Sequence, residues 1–181
     1  MTRFFLILAT SLCLTVSSSA QQPNAKLVYP IIPNVGGVVP LPNAAEQPRK
    51  GAKVVFDITA DAKPVDLNKG LERVARLLNL YGSVGLKASD VKIAIVMHGE
   101  ATKSVLTNDV YRSKFGTDKN PNLAVIGELQ KAGVEVFVCG QALAYKGFEQ
   151  SEVSEGVKIA AAALTVVINR QEDAYSYVPT H

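Results

Sequence analysis

Two short stretches of this chain end in the same way. Val134-Glu135-Val136-Phe137-Val138 runs into Cys139-Gly140-Gln141, and Val96-Met97 runs into His98-Gly99-Glu100. In each, a strand-like apolar run delivers one reactive side chain, and a glycine then lets the chain turn. A thiol and an imidazole are the pair that thiolate chemistry uses: the ring takes a proton or stabilises the anion, and the sulfur attacks. Ligands of open parallel sheets bind beyond the carboxyl ends of the strands. A helix opening after Gly140 would aim backbone N–H groups and a partial positive charge at the sulfur. Such a setting lowers a thiol pKa from ~8.5 into the range ~3.5–7.5. Cys139 and His98 are therefore the expected catalytic residues. Gly140 and Gln141 behind the thiol, with Gly99 and Glu100 behind the imidazole, are the expected binding residues.

Each of these residues also has a plainer reading. An isolated cysteine in an apolar run is ordinarily inert core. A histidine at a strand end can simply satisfy a loop carbonyl, and a glutamate in the first turn of a helix answers the macrodipole alone. The shared strand-end-then-glycine pattern favours chemistry, because successive strands in such sheets are neighbours about two times in three. Two neighbouring tips would share one crevice. Asp57, in Val55-Phe56-Asp57-Ile58, is the single misfit polar residue in the core pattern. A subunit interface and the crevice edge are both open to it, but a strand-end carboxylate facing water is the expected placement.

Other chemistries lack their residues. No Gly-x-Gly-x-x-Gly follows a strand and no Gly-x-x-x-x-Gly-Lys-Ser/Thr occurs, so nucleotide phosphates have no cradle. No Cys-x-x-Cys is present for a self-contained disulfide oxidoreductase. His98 and His181 are the only histidines, too few with one cysteine for a zinc set. No Gly-x-Ser-x-Gly elbow appears. No metal and no cofactor are expected.

The elements that must position the pair alternate between strand and helix signals, which argues a parallel sheet with helices on both faces. A first strand is read over Lys53 to Thr59. A helix follows Pro64, with Leu67, Leu71, Val74, Leu78 and Tyr81 as one buried stripe and Gly82 and Gly85 ending it. The second strand is Val91 to Met97. Gly99 to Gly116 is a polar connection with helical potential at Glu100 to Leu106 and Asp109 to Phe115. Asn120 as N-cap and Pro121 at the first position open another helix, which stops at Gly133. The third strand is Val134 to Val138, followed by a helix over Gln141 to Gln150. Val157 to Ala160 reads as a fourth strand, Ala161 to Glu172 as a helix, and Ala174 to Val178 as the last strand.

The N-terminal region is different in kind. Residues 1–20 read as a signal peptide: Arg3 is the positive start, Phe4 to Val16 the apolar stretch, and Ser18-Ser19-Ala20 the small-residue cleavage site, with cleavage after Ala20. Cys13 leaves with it, so an intramolecular disulfide has no second cysteine. The remainder is expected to be periplasmic or secreted, with no membrane span. Residues 21–52 form a Pro-rich arm, in which six prolines and Gly36-Gly37 forbid a long helix or central strand. Its apolar clusters fit a strap on the domain or on a neighbouring subunit, and a flexible tether is equally open. The domain proper is residues 53–181. A net charge of +3 without any basic run makes nucleic acid an unlikely partner.

From Lys53 onward the chain resembles the DsrE/DsrF-like family, also called YchN-like. The resemblance rests on Lys53-Val54-Val55-Phe56-Asp57, Val96-Met97-His98-Gly99 and above all Gly133 to Leu143, with Glu155-Gly156-Val157-Lys158-Ile159 and Ala174 to Pro179 in order behind them. It implies a three-layer α/β/α fold around a five-stranded parallel sheet, assembled as homotrimers or homohexamers. In the sulfur-relay members the matching cysteine carries a persulfide, a role that would fall to Cys139, and exported relatives tend to show a histidine at the position of His98. The function expected on that basis is an exported sulfur carrier or sulfurtransferase-like protein, with a sulfane-sulfur donor and an acceptor thiol as partners. The alternative is a non-catalytic oligomeric module of the same fold that binds a small ligand. A thiol redox sensor working through sulfenic acid is a third possibility.

Overall fold

The computed structural model describes residues 26–180. The signal peptide, its cleavage after Ala20, Cys13 and His181 lie outside the described residues. Five strands form one parallel sheet: β1 (Ala52–Ile58), β2 (Val91–Met97), β3 (Glu135–Cys139), β4 (Lys158–Ala160) and β5 (Ser176–Thr180). Their spatial order is β4-β3-β2-β1-β5. The helices are α1 (Lys69–Ser83), α2 (Asn108–Phe115), α3 (Leu123–Lys131), α4 (Gly140–Lys146) and α5 (Ala163–Glu172). Among the described residues no helix is long and apolar enough to cross a membrane.

The period of two along each strand sorts the side chains into two layers. Phe56, Ile58, Ile93, Ile95, Met97, Val136 and Val138 face α1 and α3. Val55, Ala94, Val96 and Cys139 face α5, where Ala163 and Val166 cover them. The chain steps from β1 to β4 in one direction with its helices on the first face. It then returns across the whole sheet to β5 through α5 on the second. Reversing direction and changing face together preserve the hand of the crossover. The result is the expected α/β architecture, three layers around a five-stranded parallel sheet.

Several boundaries differ from the sequence reading. Helix α1 starts at Lys69, not just after Pro64, because the Asn68 side chain caps it by accepting from the Gly70 N–H at 2.8 Å. Helix α3 starts at Leu123 rather than Pro121. Asn120 still makes the expected capping bond, its Oδ1 accepting from the Asn122 N–H at 3.0 Å, while its amide donates to the carbonyls of Ser104 (3.0 Å) and Leu106 (2.8 Å) and holds the preceding loop. Helix α4 ends at Gly147, well before Gln150, where the chain turns left-handed. The segment Gly99–Val105 is a 3-10 helix. Strand β5 begins at Ser176, since Ala174 at φ 65° cannot be extended.

The arm is a strap on its own domain. Val28 and Val38 pair antiparallel, making a loop that lies against α1. Asn79, fully buried on α1, accepts from the N–H groups of Ile31 and Ile32 and donates to the carbonyls of Ile32, Val35 and Gly36. One amide thus satisfies five backbone groups that a proline-rich segment cannot pair in a sheet. Gly36 sits so close that a Cβ would lie 2.3 Å from the Arg76 nitrogen, at a φ of +64°.

Candidate functional site

Cys139 ends β3 and is the N-cap of α4. Its Sγ accepts a hydrogen bond from the Ala142 N–H at 3.4 Å. The connection after β3 passes through α4, whose Leu143 joins the α1/α3 core, whereas the connection after β4 leads to α5 on the opposite face. Adjacent strands whose connections leave to opposite faces define the switch point at which open α/β sheets bind ligands. Cys139 pairs with Ala160, the last residue of β4, so the sulfur stands at that point. Gly140 is required there, because a Cβ would lie 2.9 Å from the Ala160 carbonyl oxygen. The exposed Gln141 donates its amide to the Ala161 carbonyl at 3.4 Å, a second link between the two strand tips.

The sulfur is less open than the sequence suggests. Cys139 is a free thiol only 6% exposed, part of one buried cluster with Val55, Ala94, Val96, Ala163 and Val166. Its cover comes from α5, a helix that arrives from the next connection and leaves no mark on the residues around the cysteine.

His98 lies beyond the end of β2, half-buried, and begins the 3-10 helix that contains Gly99 and Glu100. Met97 pairs with Val138, and the next position on each strand is His98 and Cys139. Both follow the alternation that points to the α5 face, with Val96 and Phe137 two positions before them. The imidazole bonds in the other direction, however: Nε2 lies 2.6 Å from Oδ1 of Asp57 on β1. Asp57 is thus at the crevice edge and not a carboxylate turned to water. Its Oδ2 accepts from the Tyr177 hydroxyl of β5 at 2.8 Å, and this bond raises the tyrosine pKa, the burial of the hydroxyl adding to it. Neither Asp57 nor Tyr177 was singled out from sequence as a site residue. The signal available was a carboxylate inside an apolar strand, which must find partners.

Glu100 pairs with Lys146 of α4 at 2.6 Å. It ties the loop behind β2 to the helix behind β3, and its charge is engaged there, not at the thiol. Deeper in the same loop region, Lys103 pairs with Asp61 and holds that carboxyl below its usual pKa. Among the described residues no group of three His, Cys, Asp or Glu side chains is arranged to hold a metal. A cavity of about 530 Å³ lies elsewhere, between residues 39–49 of the arm and the end of α1. Its walls are mainly apolar, and Glu46 and Arg49 on its rim pair with each other. It therefore offers no convergent polar groups, and the chemistry stays with the strand tips.

The model of the DsrE/DsrF-like family matches residues 53–179. No curated protein matches the chain. Among solved structures, the protein of unknown function MTH1491 from Methanobacterium thermoautotrophicum superposes with a TM-score of 0.53 at 21% identity, over 71% of this chain and 99% of its own. The ychN protein from E. coli does so with a TM-score of 0.52 at 16% identity, again over 71% and 99%. At such identities these two share the fold. With the family match spanning everything from the first strand to the last, this chain belongs to the DsrE/DsrF-like family.

Proposed function

We propose that this protein is an exported sulfur carrier, or sulfurtransferase-like protein, that holds sulfane sulfur as a persulfide on Cys139. The observation that carries the reading is the Ala142 N–H aimed at Sγ at the switch point of the sheet. A charge-assisted donor of that kind is what a thiolate, or the terminal sulfur of a persulfide anion, requires. The family supports the same assignment. In the first step the Cys139 thiolate attacks a sulfane sulfur; a new S–S bond forms, the donor's bond to that sulfur breaks, and the donor leaves with the electron pair. An acceptor thiolate then attacks the outer sulfur, and Cys139 departs as the thiolate. Export rests on the leader-like residues 1–20.

Homo-oligomerisation, as trimers or hexamers, is part of the same proposal. Leu164 (67% exposed) and Ile168 (45%) are spaced by four on the outer side of α5. Exposed apolar groups so grouped mark association surfaces. Sedimentation of the native protein tests it, and a monomer at micromolar concentration would remove it.

The carrier reading is tested by intact mass after incubation with thiosulfate or polysulfide. The wild type should gain one sulfur, about 32 Da, and Cys139→Ser should not. A wild type that never gains it ends the reading. The burial of Cys139 favours one other function, a non-catalytic module in which the cysteine is structural and the oligomer binds a small ligand. Under that reading Cys139→Ser keeps the wild-type quaternary state and ligand profile, and neither protein takes up sulfur.

A further inference from the structure

Asp57 near the end of β1 and Tyr177, the second residue of β5, are two polar side chains to which the sulfur chemistry assigns no task. Asp57 has 14% of its side chain exposed, a costly place for a carboxylate unless its oxygens are occupied. Both are. Oδ1 receives His98 at 2.6 Å, and Oδ2 receives the Tyr177 hydroxyl at 2.8 Å. The partners come from 41 and 120 residues away, so the tertiary fold alone brings them together. The backbone around them is knitted: His98 N–H bonds to the Ile58 carbonyl, Thr59 N–H to the Thr180 carbonyl, and the Thr180 hydroxyl to the carbonyl of Asp57 itself.

A carboxylate can only accept. Nε2 of His98 therefore carries the proton in this bond, and a neutral ring has its lone pair on Nδ1. The tyrosine completes the logic. Its hydroxyl donates to Oδ2; a phenol is protonated at neutral pH, and this bond pushes its pKa further up. With one oxygen held, the carboxylate cannot rotate away from the ring.

We propose that Asp57 and Tyr177 are positioning residues of the site: Asp57 anchors Nε2 of His98 so that Nδ1 is the ring atom offered to Cys139, and Tyr177 orients Asp57 by holding its second oxygen. Only the use of Nδ1, which accepts the proton leaving the thiol, rests on the carrier reading. The set of the ring belongs to the resting protein and is tested without a sulfur donor.

The experiment labels histidine with ¹⁵N in a His181→Gln background, leaving one imidazole, and reads the ring nitrogens at a pH where titration shows the ring neutral. The unaltered site should give the Nε2–H tautomer. Asp57→Asn should invert it, for the Tyr177 hydroxyl keeps the amide oxygen and turns the NH₂ group toward Nε2, driving the proton to Nδ1. The double variant Asp57→Asn with Tyr177→Phe frees the amide to flip and should relax the inversion to a mixture. An Nδ1–H tautomer in the parent, or an Nε2–H tautomer that survives Asp57→Asn, overturns the proposal.

Alkylation of Cys139 by iodoacetamide at fixed pH is the second readout. Asp57→Asn and His98→Ala should each slow it about tenfold, and the pair combined should be no slower than His98→Ala, because residues acting through one another are not additive. Additive losses would sink the idea. Should Asp57→Asn fail to fold, the exposed Tyr177→Phe serves: the Nε2–H tautomer is kept and alkylation slows roughly threefold, a share of the coupled effect. An unchanged rate in that variant removes Tyr177 from the relay. A protein that shows the tautomer and its inversion but never takes up sulfur would keep the positioning and lose the carrier.

Discussion

The two faces of the sheet are built for different ends from the same strands. Toward α1 and α3 stand Phe56, Ile58, Ile93, Ile95, Met97, Val136 and Val138, all buried and all apolar. Beyond α1 the arm adds a further layer, its own Ile32 buried in that core. Toward α5 the residues are smaller, Ala94, Val96 and Ala163 among them, and every chemistry-bearing group at the strand tips is on this side. Alternate residues along a strand thus separate stability from chemistry with a period of two. Each face also has a polar hub. Asn79 is neutral, fully buried and bonded only to backbone; Asp57 is charged, partly exposed and bonded to two side chains. A hub bonded to backbone fixes a fold. A hub bonded to titratable side chains fixes a site.

The contrast is broken most severely at Asn79. Asn79→Ala would strand the buried Ile32 N–H and the carbonyls of the strap, at about 1–3 kcal/mol for each buried group left unsatisfied. With water reaching part of the strap, the total should be about 3 kcal/mol, read as a fall in the urea midpoint. The arm should become the first site of proteolysis, while Cys139 alkylation per folded molecule stays unchanged. If alkylation moved with stability, the faces would not be separable.

Gly140→Ala strikes the other face. The new methyl would meet the Ala160 carbonyl at 2.9 Å, and relief by a shift of α4 away from β4 should cost about 1–3 kcal/mol, the usual toll of overpacking. The same shift opens the junction around Cys139, so alkylation should accelerate although the protein is weaker. A slower or equal rate would mean the cover over the sulfur is α5 alone.

How much of this contrast was readable beforehand follows from range. Strand-like runs give four strands to within one residue and the fifth to within two, and the periodic stripe of α1 is plain, since both signals are local. Cys139 and His98 were legible as strand tips for the same reason. The start of α3 lies two residues later than its Asn120-Pro121 signal, at Leu123: Asn120 accepts from the Asn122 N–H as a cap does, but its amide is also tied to carbonyls 14 and 16 residues back, a contact that no local pattern shows. The Asp57–Tyr177 bond spans 120 residues, and nothing near Tyr177 says that β5 returns to β1. The burial of the sulfur was hidden likewise, in a helix that crosses from the far edge of the sheet. Asp57 itself was visible as a misfit; what was missing was the partner.

Cys139→Ala tests the smaller claim that the cysteine serves the site more than the core. One buried sulfur among small side chains should cost about 1 kcal/mol, less than a large aliphatic truncation on the opposite face, such as Leu78→Ala at about 2–5 kcal/mol. Both are read by urea unfolding. A loss at Cys139 equal to that at Leu78 would make the sulfur a core residue first.

The smallest effect is a pH dependence at the rim. The Tyr177 hydroxyl donates to Asp57, so ionising it loses the bond and sets two anions side by side, which is why its folded pKa stands above 10.0. The folded state therefore binds this proton more tightly than the unfolded chain does. The stabilisation is whole below the unfolded value and disappears as pH rises through the folded one. Tyr81 and Tyr111, also raised by burial, titrate in the same alkaline window, so the wild type alone cannot isolate the effect. The difference between wild type and Tyr177→Phe can, since both keep the buried pair. That difference in urea midpoint should be flat from about pH 7 to 9 and shrink above about pH 10, the ordinary tyrosine value. Solvent reaches this rim freely, so the change is modest. A difference that instead grew with pH would mean the hydroxyl is not the donor to Asp57, and the second oxygen would be free for the ring to lose.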